Sequence, residues 1–329
     1  MNEVPSLSVI VPALNAASHI EDCINSIITQ EYPQAFEVIV ALGQSSDGTS
    51  QILQQLALRH PQIRIIENPA GTTPAALNKS IKVSSGEVIA RVDTQSILPP
   101  EYLKHSVEIL RHTGAANVGG KQVPIGNEGT QRIIALAMQS PFGTGTASFR
   151  SSKQEGSVDT VYLGTFSREA LIKVGGFNEF FIRNQDYELN WRLREAGFTI
   201  WFEPKLEVAY LPRSTFKGLA SQYLQYGLWK RRMLLKYPRS LKLRHLVAPG
   251  LVLGLLGSLI MIGFGSPLGF IIPVLYFFSL IFSSLREKRI RKLTHRSQLI
   301  LAFTTMHLSW GLGFFLPNRK ITTINQNQK

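Results

Sequence analysis

The stretch GEVIARVDTQSILPPEYL, residues 86–103, decides the fold. It begins as the near-continuous apolar run expected of a strand buried on both faces, and it ends on a lone carboxylate, Asp93, among small polar residues. Three upstream segments repeat the type: LSVIVPAL (7–14), FEVIVAL (36–42) and IRIIE (63–67). Helical patterns lie between them. Ile20, Ile24, Ile27 and Ile28 share one face of the first, and Ile52, Leu53 and Leu56 one face of the second, which SSDGT (45–49) caps. Alternating strands and helices predict a parallel sheet with right-handed crossovers. Ligands of such sheets sit outside the carboxyl ends of the strands, so Asp93 is expected to point into the binding crevice.

The chemistry of that crevice is constrained by what is missing. No G-x-G-x-x-G follows the first strand and no G-x-x-x-x-G-K-[ST] occurs, so neither phosphate cradle is encoded. Asp93 and Gln95, two oxygen donors two residues apart, are candidates to hold a divalent cation that would neutralise a diphosphate; a turn or helix cap is the purely structural alternative. A second segment, NQDYELNWRLREAGF (184–198), reads as a helix with Leu189 and Leu193 packed and Gly197 as its stop. Asp186 begins that helix beside Gln185. It is a candidate N-terminal cap, a candidate general base, or both.

Composition sets the surroundings. The 329 residues carry 35 Lys and Arg against 22 Asp and Glu, a net charge of +13, and Cys23 is the only cysteine, which excludes an internal disulfide and a thiolate-rich metal site. From Leu246 to Leu285 no side chain is charged, enough for two membrane spans (246–265 and 268–285), with the GSP at 265–267 between them. Residues 298–316 form a third apolar stretch, a span or an interfacial helix, whose His307 is expected to be a packing residue remote from the crevice. The basic loop REKRIRKLTHR (286–296) and the acid-free segment 213–245 mark these flanks, and with them the N-terminal domain, as cytoplasmic. Much of the positive charge then belongs to a membrane surface, and nucleic acid is not an expected partner. The expected organisation is a catalytic domain (1–212), a basic interfacial segment (213–245) whose Tyr223, Tyr226 and Trp229 suit a headgroup layer, a membrane domain (246–317) and a polar tail (318–329).

These segments, in this order, resemble the family 2 inverting glycosyltransferases of the GT-A fold, most closely their ExoA-like, succinoglycan-type exopolysaccharide branch. SVIVPALNAASHIEDCINSIITQ (8–30), EVIVALGQSSDGT (37–49), GEVIARVDTQSILPPEYL, VGGFNE with NQDYELNWRLREAGF, and QYLQYGLWKRRMLLKYP (222–238) carry the likeness over essentially the whole chain. The resemblance implies an α/β fold, a GT-A Rossmann-like mixed, mostly parallel sheet with helices on both faces, followed by transmembrane helices. It implies that Asp93, with Gln95, binds a Mg2+ or Mn2+ ion bridging the diphosphate of a nucleotide sugar, a UDP-sugar foremost, and that Asp186 is the base. Pro12, Leu14, Ser45, Asp47 and Asn78 would line the nucleotide pocket. Gly164, Gln185, Gln222, Tyr226 and Trp229 would lie on the acceptor side. The chain departs from the pattern at Leu42 and Gly43, where many members carry aspartates, and at Gln95, where a second aspartate or a histidine is usual.

The expected reaction is transfer of a sugar to a lipid-linked glycan in cell-surface polysaccharide synthesis, at the cytoplasmic membrane. The alternatives are transfer of one sugar to polyprenyl phosphate, and a catalytically degenerate scaffold of a polysaccharide assembly complex.

Overall fold

The computed structural model of the chain describes residues 4–126, 128–145 and 154–317; the polar tail lies outside these. Strands β1 (Leu7–Ala13), β2 (Glu37–Leu42), β3 (Ile63–Glu67) and β4 (Val88–Arg91) alternate with helices α1 (Ile20–Ile28), α2 (Thr49–Arg59) and α3 (Thr73–Val83). The four strands pair in parallel in the order β3-β2-β1-β4. Successive side chains of a strand point to opposite faces, and both faces are covered here. Val9, Val11, Val38 and Val40 pack with Ile20, Ile24 and Ile27 of α1, while Ile10, Ile39 and Ile89 pack with Leu77 of α3.

Beyond β4 the sheet becomes mixed, as the resemblance implied and as the strand-helix alternation of the first hundred residues alone did not show. Helix α4 (Tyr102–Thr113) leads to β6 (Asn117–Pro124), and α5 (Gly129–Gln139) with the single turn α6 (Pro141–Thr144) brings the chain to the carboxyl edge of β4. Strand β8 (Tyr162–Ser167) therefore starts at that edge and runs antiparallel to both β4 and β6. Helices α7 (Arg168–Lys173) and α8 (Gln185–Glu195) precede β9 (Ile200–Tyr210), which lies parallel to β6. The short strands β5 (Ser96–Ile97) and β7 (Gly156–Ser157) flank β9. The result is a nine-stranded mixed sheet.

Four helices complete the fold: α9 (Phe216–Lys236), α10 (Val247–Gly263), α11 (Ile271–Arg286) and α12 (Leu293–Phe315). They match the positions expected for the interfacial segment and the three apolar stretches, but their environments differ from expectation. Helix α9 is wedged against the catalytic domain and α12, so Tyr223, Trp229 and Lys230 are buried instead of facing a headgroup layer. The two helices touch backbone to backbone: a Cβ on Gly227 would stand 2.0 Å from the Trp310 carbonyl oxygen, and one on Gly313 2.0 Å from that of Leu224. Helix α12 buries Leu299, Ala302, Phe303 and Met306 in an apolar cluster shared with Ile133 of α5 and Leu219 of α9. Among the described residues one helix, Pro267–Arg286 including its leading 3-10 turn, is long and apolar enough to cross a membrane; Val247–Gly263 is apolar but shorter. These two leave large side chains such as Leu256, Phe264, Phe278 and Phe282 exposed.

Candidate active site

Two residues past the end of β4, Asp93 stands at the carboxyl edge of the sheet, where β1 and β4 diverge toward different connections. Its carboxylate is gripped by Arg91, the last residue of β4. Nε donates to Oδ1 at 2.9 Å and Nη2 to Oδ2 at 3.1 Å. The remaining arm, Nη1, lies 3.5 Å from Oδ1 of Asp186. One guanidinium, only 4% exposed, thus joins the two acids that sequence reasoning placed in one crevice. Burial opposes the charge on Arg91, but Asp93 and then Asp186 outweigh it and hold the guanidinium firmly ionised.

Asp186 is the second residue of α8, and the structure separates its two candidate roles. Asn184, in the left-handed conformation at φ 58°, is the cap residue, and Asp186 makes no capping hydrogen bond. Its side chain, 41% exposed, is turned toward Arg91 and the crevice. Helix α8 is held rigidly beneath it. Glu188, fully buried, accepts a fork from Arg192 and further bonds from Asn178 Nδ2 and Tyr237 Oη. Asn190 links Asn117 of β6 to Thr160.

Both acids line a cavity of about 820 Å3. Gln95, Gln122, Tyr162 and Gln185 share its wall, with Gln222 and Tyr226 from α9. The apolar Val247, Leu251, Met306 and Trp310 also line it. His307 also reaches this cavity, which corrects the expectation that it is remote from the crevice; its ring nitrogens face the Phe142 carbonyl at 2.8 Å and Tyr276 Oη at 3.1 Å. Buried amide atoms of wall residues, Gln122 Oε1, Asn184 Nδ2, Gln185 Oε1 and Gln222 Oε1, have no hydrogen-bond partner among the described residues.

Gly164 and Trp229 do not reach the cavity. Gly164 pairs with Arg91 across β4 and β8, and a Cβ there would strike the Phe166 ring and Asn117; its bareness makes room in the core. Trp229 packs among Phe180 and Phe181, with Arg232 4.2 Å above its ring. The five residues expected in the nucleotide pocket lie outside this cavity as well. Ser45 and Asp47 knit two loops together: Asn15 N donates to Ser45 Oγ, and Ala17 N to Asp47 Oδ2. Asp47 also accepts from Thr49 Oγ1. Leu14 packs on Gly43. Asn78 uses its amide on both the N–H and the carbonyl of Phe177.

The candidate donors for a cation are Asp93 and Gln95, which both line the cavity. A carboxylate offers about four lone-pair directions, and Arg91 takes two. Among the described residues no three His, Cys, Asp or Glu side chains converge. The pair therefore fits a hard cation that draws its other ligands from a diphosphate and water, and does not form a closed protein cage.

Arg91 and Lys230 are the residues that sequence reasoning left without a role. A charge inside a strand buried on both faces was the signal for Arg91; nothing local marked Lys230, one of several basic residues in its segment.

Comparison with known proteins places this geometry. Residues 8–175 match the model for glycosyl transferase family 2. The chain is 29% identical over 319 residues to the succinoglycan biosynthesis protein ExoA of Rhizobium meliloti, covering 93% of each. It is 27% identical over 240 residues, 70% of this chain and 74% of the relative, to a Methanococcus voltae glucuronosyltransferase named for a dolichyl N-acetylglucosaminyl phosphate. The solved mannosyltransferase PcManGT of Pyrobaculum calidifontis, in complex with GDP-Man and Mn2+, shares the fold at a TM-score of 0.65 and 19% identity, over 93% of this chain and 88% of that one.

Proposed function

The chain belongs to glycosyl transferase family 2 and is a glycosyltransferase, and from that premise we infer that it moves a sugar, with inversion, from a nucleotide sugar to a lipid-linked saccharide in cell-surface polysaccharide synthesis. A UDP-sugar is the foremost donor. The observation that carries this reading is the meeting of Asp93 and Asp186 on one buried arginine, in a cavity lined by both polar and apolar side chains. Relatives named for succinoglycan biosynthesis and for a dolichyl-linked sugar phosphate support a product and an acceptor of these classes.

Asp186 takes the proton of the acceptor hydroxyl as that oxygen attacks the anomeric carbon. The bond from that carbon to the diphosphate breaks, and its electron pair leaves with the nucleoside diphosphate. Arg91 fixes both carboxylates, so neither must be ordered when substrate arrives. Asp93 and Gln95 are the residues that would hold a Mg2+ or Mn2+ ion, which when bound supplies positive charge for the departing diphosphate. The exposed apolar faces of α10 and α11 attach the enzyme to the cytoplasmic membrane, with the catalytic domain and the basic loop 286–296 on the cytoplasmic side.

The test uses the full chain in detergent, a panel of nucleotide sugars with Mg2+ or Mn2+, and either a lipid-linked saccharide or polyprenyl phosphate as acceptor, with products read by mass spectrometry. Transfer to the saccharide is expected. Asp186→Asn should lower it by at least about 100-fold while nucleotide affinity stays within about twofold. Transfer to polyprenyl phosphate alone would replace this reading with a monoglycosyltransferase. Absence of any nucleotide binding would favour a scaffold.

A further inference from the structure

Lys230, on α9, is 7% exposed and lines the cavity, yet among the described residues its ammonium has neither an ion pair nor a hydrogen bond. Its close neighbour is the Tyr187 ring, whose centroid is 3.5 Å from Nζ. Buried lysines are rare unless paired, because an ammonium removed from water loses its hydration without compensation. The nearby acids are already taken: Asp159 serves Arg194, Lys242 and Arg244, and Asp186 faces Arg91. The surroundings add more positive charge. Burial first, and then the Arg244 guanidinium, push the Lys230 ammonium down to about 7, against the weaker pull of Asp159 and Asp186. Arg183 opens on the same cavity and commits only Nε, which donates to Gln225.

The position of this uncompensated charge is informative. Tyr187 follows Asp186 in the chain, so Lys230 sits one side chain away from the candidate base. The same cavity is also lined by the apolar Val247, Leu251 and Met306. A cation with no ion pair of its own, in a cavity lined by both polar and apolar side chains, matches an amphiphile whose head is a phosphate.

We propose that Lys230, assisted by Arg183, seats a phosphate group of the acceptor, a phosphorylated amphiphile whose apolar chain lies along the wall formed by α10 and α12. The proposal rests on the lipid-linked acceptor reading and adds to it the residues that receive the phosphate. Lys230 acts as a positioning residue that presents the acceptor to Asp186, and it touches no reacting atom.

The test measures binding to the full chain in detergent, with undecaprenyl diphosphate, inorganic diphosphate and UDP as separate probes, together with melting temperature. Lys230→Met, close in size and uncharged, should weaken undecaprenyl diphosphate binding by about tenfold or more and leave UDP affinity unchanged. Its melting temperature should equal or exceed that of the wild type, because a buried unpaired charge has been removed. Lys230→Arg should recover most of the affinity, and Arg183→Gln should show a smaller loss of the same kind, which keeps the test decisive if the Met variant does not fold. Unchanged undecaprenyl diphosphate binding in Lys230→Met would overturn the proposal. So would a loss confined to UDP, which would assign the ammonium to the donor. Failure of the wild-type chain to bind undecaprenyl diphosphate would remove the lipid-linked acceptor reading itself.

Discussion

Arg91 is the residue on which the site turns. Two carboxylates that face one cavity repel each other. The buried guanidinium between Asp93 and Asp186 removes that repulsion. Replacing it with methionine should lower kcat by about tenfold or more, because both carboxylates lose the donor that orients them. Arg91→Lys should keep a charge but lose the fork, so it should recover only part of that kcat. An unchanged kcat in Arg91→Met would show that the acids do not depend on it. Asp93 and Asp186 were legible in the sequence because each ends or begins an element at the ligand-binding edge. The bond between them was not, since Arg91 and Asp186 are far apart in the chain.

At the scale of elements, α8 is the support of the base. Glu188 accepts bonds from Arg192, Asn178 and Tyr237 within a fully buried pocket. Glu188→Ala would strand Arg192 without its partner and should cost about 3–5 kcal/mol, measured by denaturant unfolding. Helices α9 and α12 depend on a different device, the missing side chains at Gly227 and Gly313. Gly313→Ala would drive a methyl into the Leu224 carbonyl, and separating the helices should cost about 1–3 kcal/mol, seen as a lower melting temperature. The strand and helix periodicities of the first hundred residues announced those elements directly. Composition alone gave α9 the look of a surface helix, because its basic and aromatic residues are equally at home in a lipid headgroup layer and in the cation–π contacts it makes here.

At the scale of the whole molecule, charge couples the fold to pH. Burial disfavours ionisation of Glu37, Asp47 and Asp159, but hydrogen bonds from Ser85, Thr49 and Lys242 respectively hold each carboxyl below its ordinary value. A carboxyl depressed in the folded state stabilises it fully above the unfolded value, 4.5 for Glu and 3.8 for Asp, and that contribution is lost as pH falls through the folded value. His245 acts in the same direction. Burial and Lys230 push it down to about 3, so below its ordinary 6.5 the unfolded chain gains a proton that the folded chain does not. Melting temperature should therefore decline as pH drops from about 6.5, most steeply below about 4.5. Asp159 clasps Lys242 and Arg244, the segment that joins α9 to α10, to the catalytic domain. In Asp159→Asn the deficit relative to the wild type should be largest near neutral pH and shrink toward pH 3, and a constant deficit would refute the assignment.

The sequence by itself determined the sheet's parallel half, the placement of Asp93 and Asp186 at ligand-facing ends of elements, and the apolar C-terminal helices. Each follows from periodicity or from an element's terminus, properties that act over a few residues. Only the tertiary structure decided that β8 enters antiparallel at the edge beside Asp93, that Arg91 binds both acids, and that the cavity continues past α9 to His307. Those are relations between segments tens of residues apart, fixed by packing and by the pairing of buried charges, and a local pattern carries no record of which distant partner will satisfy it.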